Sequence, residues 1–218
     1  MALLNYQPPL SPYLRIIYQD DDIVILDKPS GLLSVPGKAP EHADSLQARV
    51  QRVFPSASIV HRLDMATSGI MLMAMNKAAH RHLSRQFELR QTEKSYEAIV
   101  YGWPSEESGE VNLPLICDWP NRPKQMVDHE RGKKALTRWQ VLSKGKDTSR
   151  IELFPITGRS HQLRVHMLSL GHPIIGDRLY AHPTALSLAS RLHLHAKYLS
   201  FNHPSNGIKQ RFFSPVPF

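Results

Sequence analysis

The chain has 218 residues, of which 41% are hydrophobic and 21% charged, a composition typical of a globular protein with a sizeable core. Its single cysteine, Cys117, excludes an intrachain disulfide framework and a cysteine-based zinc site, so we expect a reducing, cytoplasmic compartment. No apolar run approaches the roughly 20 residues that a bilayer-spanning helix needs. Lysine and arginine total 27 against 19 acidic residues, and the net charge of +8 favours a polyanionic partner such as nucleic acid.

The N-terminal half of the chain alternates apolar strand patterns with two helical ones. The predicted elements are an extended arm over 1–14, strands over 15–18 and 23–26, a turn over 27–31, a helix between Asp44 and Pro55, a strand over 70–75 and a helix from Asn76 to Arg90. Asp44 and Asn76 are residue types that cap helix N-termini, and Pro55 ends the first helix. The continuous apolar run over 70–75 indicates a buried strand.

The C-terminal half is richer in strand patterns. The predicted elements are a strand over 94–101, a basic loop over 118–134, strands over 135–142 and 150–154, a helix after Gly158 that ends at Gly171, and closing strands over 192–201 and 209–213. In that helix Leu163, Met167 and Leu170 form the predicted core face, and Arg164 lies off it. Strands with helices inserted at irregular intervals favour an α+β fold over a regular βαβ array.

The segment His61–Gly69, HRLDMATSG, is the strongest candidate for a functional site. It places an arginine, an aspartate and two hydroxyl side chains directly before the apolar strand at 70–75. Charged groups beside a core strand are costly to desolvate unless they are paired or used in chemistry. Pairing of Asp64 with Arg62 and a catalytic role for Asp64 are both compatible with this pattern.

Four sequence blocks together resemble the RluA-type pseudouridine synthases, which isomerise uridine in RNA. They are Asp27–Gly31 (DKPSG), His61–Gly69, Lys94–Tyr96 (KSY) and Gly158–His166 (GRSHQLRVH), with a weaker fifth block at Leu192–Ala196. The resemblance implies one catalytic domain over 15–218 with no N-terminal S4-like domain. It also implies a mixed, mainly antiparallel central sheet flanked by helices and loops, with the active-site cleft across the sheet. The segment Asp118–Gln125 is similar to the compact family member that acts on both a 23S rRNA hairpin and the tRNA anticodon stem-loop.

The resemblance also implies roles for individual residues. Asp64 is the implied catalytic carboxylate, which could attack as a nucleophile or abstract a sugar proton; the sequence does not decide between them. Arg164 is its implied basic partner, Tyr96 stacks on the target base, and Arg62 fills the space that the flipped uridine leaves. Alternatively Arg164 is an exposed helix arginine and Tyr96 a core residue. No group is oxidised or carried away, so we expect no cofactor or metal.

The basic residues outside these positions are the expected contacts to RNA phosphates, and Trp119 could stack on a base. The predicted phosphate contacts are Lys28, Arg122, Lys124, Arg131, Lys133, Lys134 and Arg159, and His61 is a further expected substrate-binding residue. No membrane or obligate protein partner is implied. Two other functions stay open: a non-catalytic RNA-binding protein with this fold, and a metal-dependent nuclease that uses histidines. The spacing of His161 from His166 does not make a chelating pair, which favours structural roles for the histidines.

Overall fold

The computed structural model describes residues 6–218. The strands are β1 Ile16–Gln19, β2 Ile23–Lys28, β3 Ser58–Ile59, β4 Ser68–Ala74, β5 Glu93–Tyr101, β6 Ser108–Asn112, β7 Leu115–Cys117, β8 Gln125–Val127, β9 Leu136–Lys144, β10 Thr148–Pro155, β11 Leu194–Asn202 and β12 Lys209–Phe213. The helices are α1 Leu46–Gln51, α2 Lys77–Glu88, α3 Gln162–Ser169 and α4 Pro183–Ser187, with short 3₁₀ turns at Pro40–His42 and Trp119–Asn121. By their contacts the described residues divide into a first unit, 6–94 with 196–217, and a second unit, 95–195 with Phe218.

The first unit is built on a sheet in which β1, β2, β4 and β11 are successive neighbours, with β12 beside β11 and β3 beside β4. The antiparallel pairing of β2 with β4 sets Ile23 opposite Ala74 and Lys28 opposite Gly69. Residues 23–26 of β2 and 70–74 of β4 are apolar without interruption, and both strands are almost entirely buried. Such continuous runs are typical of strands covered on both faces, and the prediction of a buried strand at 70–75 is confirmed.

Helix α2 covers this sheet and begins where the sequence predicts. Asn76 accepts a hydrogen bond from the Ala79 amide, and Ala79 and Leu83 pack in one cluster with apolar residues of β2, β4 and β11. The predicted end at Arg90 is wrong. Helix α2 ends at Glu88, and Arg90 adopts a left-handed backbone (φ 56°) while the Gln91 amide donates back to the Gln86 carbonyl, which is the pattern of a Schellman stop.

The first predicted helix is also shorter than expected, and its cap differs by one residue. Ser45 caps α1 by accepting from the Ala48 amide at 3.1 Å. Asp44 instead accepts from Arg49 through both carboxylate oxygens, at 2.8 and 2.7 Å. Arg49 is fully buried, so the carboxylate that could have capped the helix is needed to pair a buried guanidinium.

The second unit contains a sheet in which β5, β10, β9 and β6 are successive antiparallel neighbours. The predicted basic loop over 118–134 is not irregular throughout, because β8 lies within it and pairs with β7. Helix α3 is buried along Gln162–Met167, whereas Leu170 is exposed. Its predicted single core face is therefore wrong, and Arg164 lies in the interior.

The β1–β2, β2–β4, β3–β4 and β11–β12 pairings of the first unit are antiparallel, as are those of the second unit given above, and the helices are few. This confirms the predicted α+β class with a mainly antiparallel sheet. In the described part of the N-terminal arm, residues 6–14 form neither helix nor strand. Residues 1–5 of that predicted arm lie outside the described residues. None of the helices within 6–218 is long and apolar enough to cross a membrane.

Candidate active site

Asp64 lies in the loop between β3 and β4 and is half-buried. The residue before it, Leu63, is buried, and its backbone forms two hydrogen bonds with the Ser34 hydroxyl: the amide donates at 3.1 Å and the carbonyl accepts at 2.6 Å. On the other side the Thr67 amide donates to the Asp64 carbonyl at 3.1 Å. The backbone is thus held both before and after Asp64, while Arg62 is exposed to solvent.

The backbone at position 69 explains why the His61–Gly69 block ends in a glycine. Its φ is +113°, and a Cβ atom there would lie 2.3 Å from the backbone oxygen of Ala196 on β11. Only glycine combines this backbone conformation with so close an approach. The glycine therefore lets β4 begin beside β11 directly after the Asp64 loop.

Lys28 is fully buried and its ammonium binds three backbone carbonyls. Nζ donates to Pro29 at 2.9 Å, to Leu32 at 2.7 Å and to Met65 at 3.0 Å. The predicted phosphate contact at Lys28 is therefore wrong, because the ammonium lies in the interior. A buried charge is tolerated only with such compensation. Lys28 instead joins the Asp27–Gly31 block to the residue that follows Asp64.

The same block makes two further bonds to this loop. The Ser30 hydroxyl donates to the Ala66 carbonyl at 2.7 Å, and the Gly31 amide donates to the Met65 carbonyl at 2.9 Å. The first two sequence blocks are thus parts of one hydrogen-bonded structure. The sequence showed them as separate motifs, since nothing local in DKPSG indicates which carbonyls its polar groups reach.

His61 is also used by the protein itself. Its Nε2 accepts from the Leu72 amide at 3.0 Å, and its ring stacks on Phe87 with centroids 4.7 Å apart. Burial, with a smaller contribution from the Lys94 charge, lowers the pKa of His61 to about 3. The ring is therefore neutral near pH 7, with its proton on Nδ1. The predicted substrate contact by His61 is not supported, because Nε2 is engaged with β4.

Tyr96 lies in the second unit, near the start of β5. It is half-buried, and its register partner on β10 is Leu153. The next residue, Glu97, is buried and forms an ion pair with Arg150, whose guanidinium also donates to the Phe218 backbone oxygen at 2.8 Å. These contacts hold the strand on which Tyr96 stands.

Arg164 is buried in α3 and binds Asp177 through two parallel hydrogen bonds. Nε donates to one carboxylate oxygen at 2.7 Å and Nη2 to the other at 2.6 Å. The guanidinium also lies 5.0 Å from the ring centroid of Tyr180. The reading of Arg164 as an exposed helix arginine is therefore wrong. Two-point binding of this kind fixes the plane of the guanidinium.

Tyr180 and Asp177 were not singled out from the sequence. The Tyr180 hydroxyl accepts from the Gln125 amide at 2.8 Å and hydrogen-bonds His161 Nδ1 at 2.7 Å. Asp177 is buried and also accepts from the Leu179 amide. The only signal available was that a buried arginine in α3 would need a carboxylate, and burial itself was not predicted.

The remaining predicted RNA contacts lie on the surface of the second unit, apart from the half-buried Lys124. Trp119 is 64% exposed, and the guanidinium of Arg122 lies 4.5 Å from its ring centroid. Arg131 is exposed and pairs with Asp128 at 3.1 Å, while Arg159 donates through Nε to the Lys134 carbonyl at 3.1 Å. The exposed side chains are Trp119, Arg122, Arg131, Lys133, Lys134 and Arg159.

The histidines noted in the sequence have structural partners. His166 contacts the Thr137 hydroxyl at 2.9 Å and the Leu113 carbonyl at 3.1 Å, and His193 stacks on Phe218. Within the described residues, one group has ligand-type atoms close enough together to hold a metal ion. It consists of Asp20, Asp22 and His203. Its members already hydrogen-bond within the protein, His203 to Asp20 and Asp22 to Ser205. It involves none of the histidines in the sequence blocks that carry the family resemblance.

The comparisons with known proteins agree on one family. The family model described as RNA pseudouridylate synthase matches residues 22–169. The chain is 57% identical, over the full length of both chains, to the dual-specificity RNA pseudouridine synthase RluA of Escherichia coli K12, and 53% identical to that of Haemophilus influenzae with 97% of each chain covered.

Solved structures support the same assignment. Human RNA Pseudouridylate Synthase Domain Containing 1 superposes with a TM-score of 0.81 at 30% identity, covering 97% of this chain and 87% of that one. Human RNA Pseudouridylate Synthase Domain Containing 4 gives a TM-score of 0.77 at 26% identity, covering 95% and 91%. The chain therefore belongs to the RNA pseudouridylate synthases, isomerases that convert uridine to pseudouridine in RNA.

Proposed function

We propose that this enzyme acts in the cytoplasm on loop uridines of two RNA classes, the tRNA anticodon stem-loop and a 23S rRNA hairpin. The observation that carries the proposal is the 57% identity, over the full length of both chains, to a relative named as dual-specificity. The net charge of +8 and the exposed basic side chains of residues 118–134 suit a polyanionic substrate.

Asp64 is the proposed catalytic residue. The reaction breaks the bond from C1′ of the ribose to N1 of the base, turns the base, and forms a bond from C1′ to C5, after which C5 loses its proton. Substrate and product are isomers, so no cofactor is proposed. A carboxylate can begin this sequence by attacking C1′ or by abstracting a sugar proton. The hydrogen bonds on both sides of Asp64 support a fixed position for that carboxylate.

Arg62 is the proposed residue that replaces the flipped uridine in the RNA loop. Its side chain is exposed two residues before Asp64, and its neighbour Leu63 is anchored in the core. A planar guanidinium that stays charged can stack on a base and donate hydrogen bonds at the same time. Extrusion of the target nucleotide makes its sugar accessible to a carboxylate.

Two residues of the second unit complete the proposed catalytic set, on the support of their sequence blocks. Tyr96 is proposed to stack on the target base, a role that its rigid strand suits. Arg164 is proposed as the cation that keeps Asp64 ionised, and its two-point contact with Asp177 preorganises the guanidinium. The proposed RNA contacts are Trp119, Arg122, Lys124 and Arg159; Lys28 and His61 are withdrawn because of their internal contacts.

Pseudouridine mapping on total RNA tests this proposal. A strain without the protein is compared with the same strain carrying the wild type or Asp64→Asn. We expect anticodon-loop and 23S sites to lose the modification, and only the wild type to restore it. Restoration by Asp64→Asn would remove the catalytic assignment. Loss of sites in only one RNA class would leave an enzyme of single specificity, and no loss in either class would favour the non-catalytic RNA-binding alternative.

A further inference from the structure

Helix α2 carries an exposed row of three positive charges. Lys77, Arg81 and Arg85 follow one another at four-residue intervals and all are exposed. Residues so spaced lie on one side of a helix, each about 6 Å further along its axis. We call these three residues the α2 basic row. It lies on the side of α2 opposite the core positions Ala79 and Leu83, which are buried.

These three charges lack acidic partners within the part of the chain that the structure describes. Several exposed cations elsewhere have such partners: Arg15 pairs with Asp27, Arg138 with Glu110, Lys144 with Glu107 and Lys209 with Glu93. Glu88, the one acidic residue of α2, forms no ion pair with the row in residues 6–218. The field of the row is therefore not cancelled locally.

The row does not help to stabilise the helix. Lys77 stands in the first turn, where the positive end of the helix dipole disfavours a cation. Like charges at i and i+4 repel each other, and the row contains two such pairs. A helix under selection for stability alone would hold acidic residues or alternate signs at these positions. The arrangement indicates an anionic partner outside the chain.

Helix α2, which carries the row, packs against the segment that leads to the candidate catalytic loop. Phe87, two residues after Arg85, stacks on His61, and the His80 ring contacts the Ile59 carbonyl at 3.0 Å. Helix α2 therefore runs along the segment that leads to Arg62 and Asp64. The end of the helix that carries Arg85 lies nearer to His61 than the end that carries Lys77.

We propose that the α2 basic row binds the sugar–phosphate backbone of the RNA strand that flanks the target loop, one phosphate to each cation. The proposal rests on the proposed function, which places the loop uridine at Asp64. The rise of about 6 Å between successive cations is comparable to the spacing of successive phosphates along one strand. Contacts of this kind position an RNA without reading its sequence, so a shared row could serve two different RNA classes.

The test compares two triple variants with the wild type. Lys77→Gln/Arg81→Gln/Arg85→Gln removes the row, and Arg138→Gln/Lys144→Gln/Lys146→Gln removes the same charge from strand β9 and the turn that follows it. Binding to a target hairpin with an extended stem, and to one cut back to the loop-closing pairs, is measured over a range of salt concentrations. Because each phosphate contact contributes about 0.9 to the slope of log affinity against log salt, we expect the row variant's slope on the extended stem to fall by about 2 to 3.

The expected pattern has three further parts. The row variant loses less affinity for the shortened hairpin than for the extended one, its kcat at saturating RNA is unchanged, and its melting temperature equals or exceeds that of the wild type. The charge control keeps a steeper salt slope than the row variant. Equal slopes for wild type and row variant on the extended stem would overturn the proposal, as would equal losses in the two triple variants.

Failure of the two proposals can be told apart. If the wild type isomerises no hairpin, the proposed function fails, whereas the salt slopes still report whether the row contacts RNA. If the wild type isomerises the hairpins and the row variant binds them normally, only the row proposal fails. A row variant that binds shortened and extended hairpins with equal loss would show a general charge effect rather than a contact to the flanking strand.

Discussion

Replacing Lys28 with methionine should destabilise the first unit and disturb Asp64 together. Methionine retains the length and apolar character of the lysine stem but donates no hydrogen bond. The Pro29 and Leu32 carbonyls would lose the Lys28 ammonium, whereas the Met65 carbonyl would keep the Gly31 amide at 2.9 Å. A buried carbonyl without a partner costs about 1–3 kcal/mol, so two of them should lower the free energy of unfolding by about 2–6 kcal/mol.

The size of this loss is reduced by a second effect. The variant no longer buries an ammonium, and removing that desolvation cost offsets part of the lost hydrogen bonding. We therefore expect a net loss of about 3 kcal/mol, a large fraction of the 5–15 kcal/mol that typically separates folded from unfolded domains. The measurement is urea unfolding, with Lys38→Met as the control because Lys38 is an exposed lysine of the same unit.

The same variant should show a specific kinetic defect. Met65 follows Asp64 directly, so a shift of its carbonyl moves the carboxylate that we propose as catalytic, and a displacement of about 1 Å can cost about 100-fold in rate. We expect a lower kcat at a temperature where the variant is folded, with RNA affinity close to that of the wild type. Unfolding free energies equal for Lys28→Met, Lys38→Met and wild type would refute the reasoning, and weaker RNA binding at unchanged kcat would return Lys28 to the phosphate contacts.

Two further predictions follow from buried titratable groups. The pKa of His61 is about 3 in the folded protein and ordinarily near 6.5, so the unfolded state takes up a proton first as the pH is lowered. The free energy of unfolding should therefore decrease from pH 6.5 down to pH 3, by up to about 1.4 kcal/mol per pH unit. In urea titrations His61→Gln should show a smaller dependence on pH. An equally steep slope in His61→Gln would contradict this assignment. Arg164→Met leaves the buried Asp177 carboxylate without its ion-pair partner and should lower the free energy of unfolding by about 3–5 kcal/mol. The double variant Arg164→Met/Asp177→Leu should restore part of this loss. No recovery in the double variant would show that the broken ion pair is not the cause.

Much of the first unit's secondary structure can be predicted from the sequence. The apolar run at 70–75, the asparagine at 76 and the helical spacing of Ala79 and Leu83 are short-range signals, and β4 and α2 form where they indicate. The ends of α1 and α2 were less predictable. Asp44 and Ser45 are both good capping residues, and the choice between them depends on the buried Arg49 needing a carboxylate partner.

In the candidate site, too, some residues were predicted correctly from the sequence and others were not. The HRLD block pointed to Asp64 and Arg62 because charged residues before a buried strand are unusual, and the structure places them in a half-buried loop and on the surface. Lys28 was misjudged as a phosphate contact, since the lysine stem and charge look the same in sequence whether the ammonium faces solvent or the Met65 carbonyl 37 residues away.

The sequence by itself determined the fold class, the family and the candidate catalytic block, because these depend on periodicity, turn chemistry and motif residues that are local in the chain. Tertiary structure decided which polar side chains are bound inside the protein and which stay exposed to solvent. Lys28, His61 and Arg164 are each bound inside by groups distant in sequence, whereas Lys77, Arg81 and Arg85 remain exposed. Desolvation gives the physical reason: a charged group enters the interior only where folding brings it compensating partners, and those partners are known only once the chain has packed.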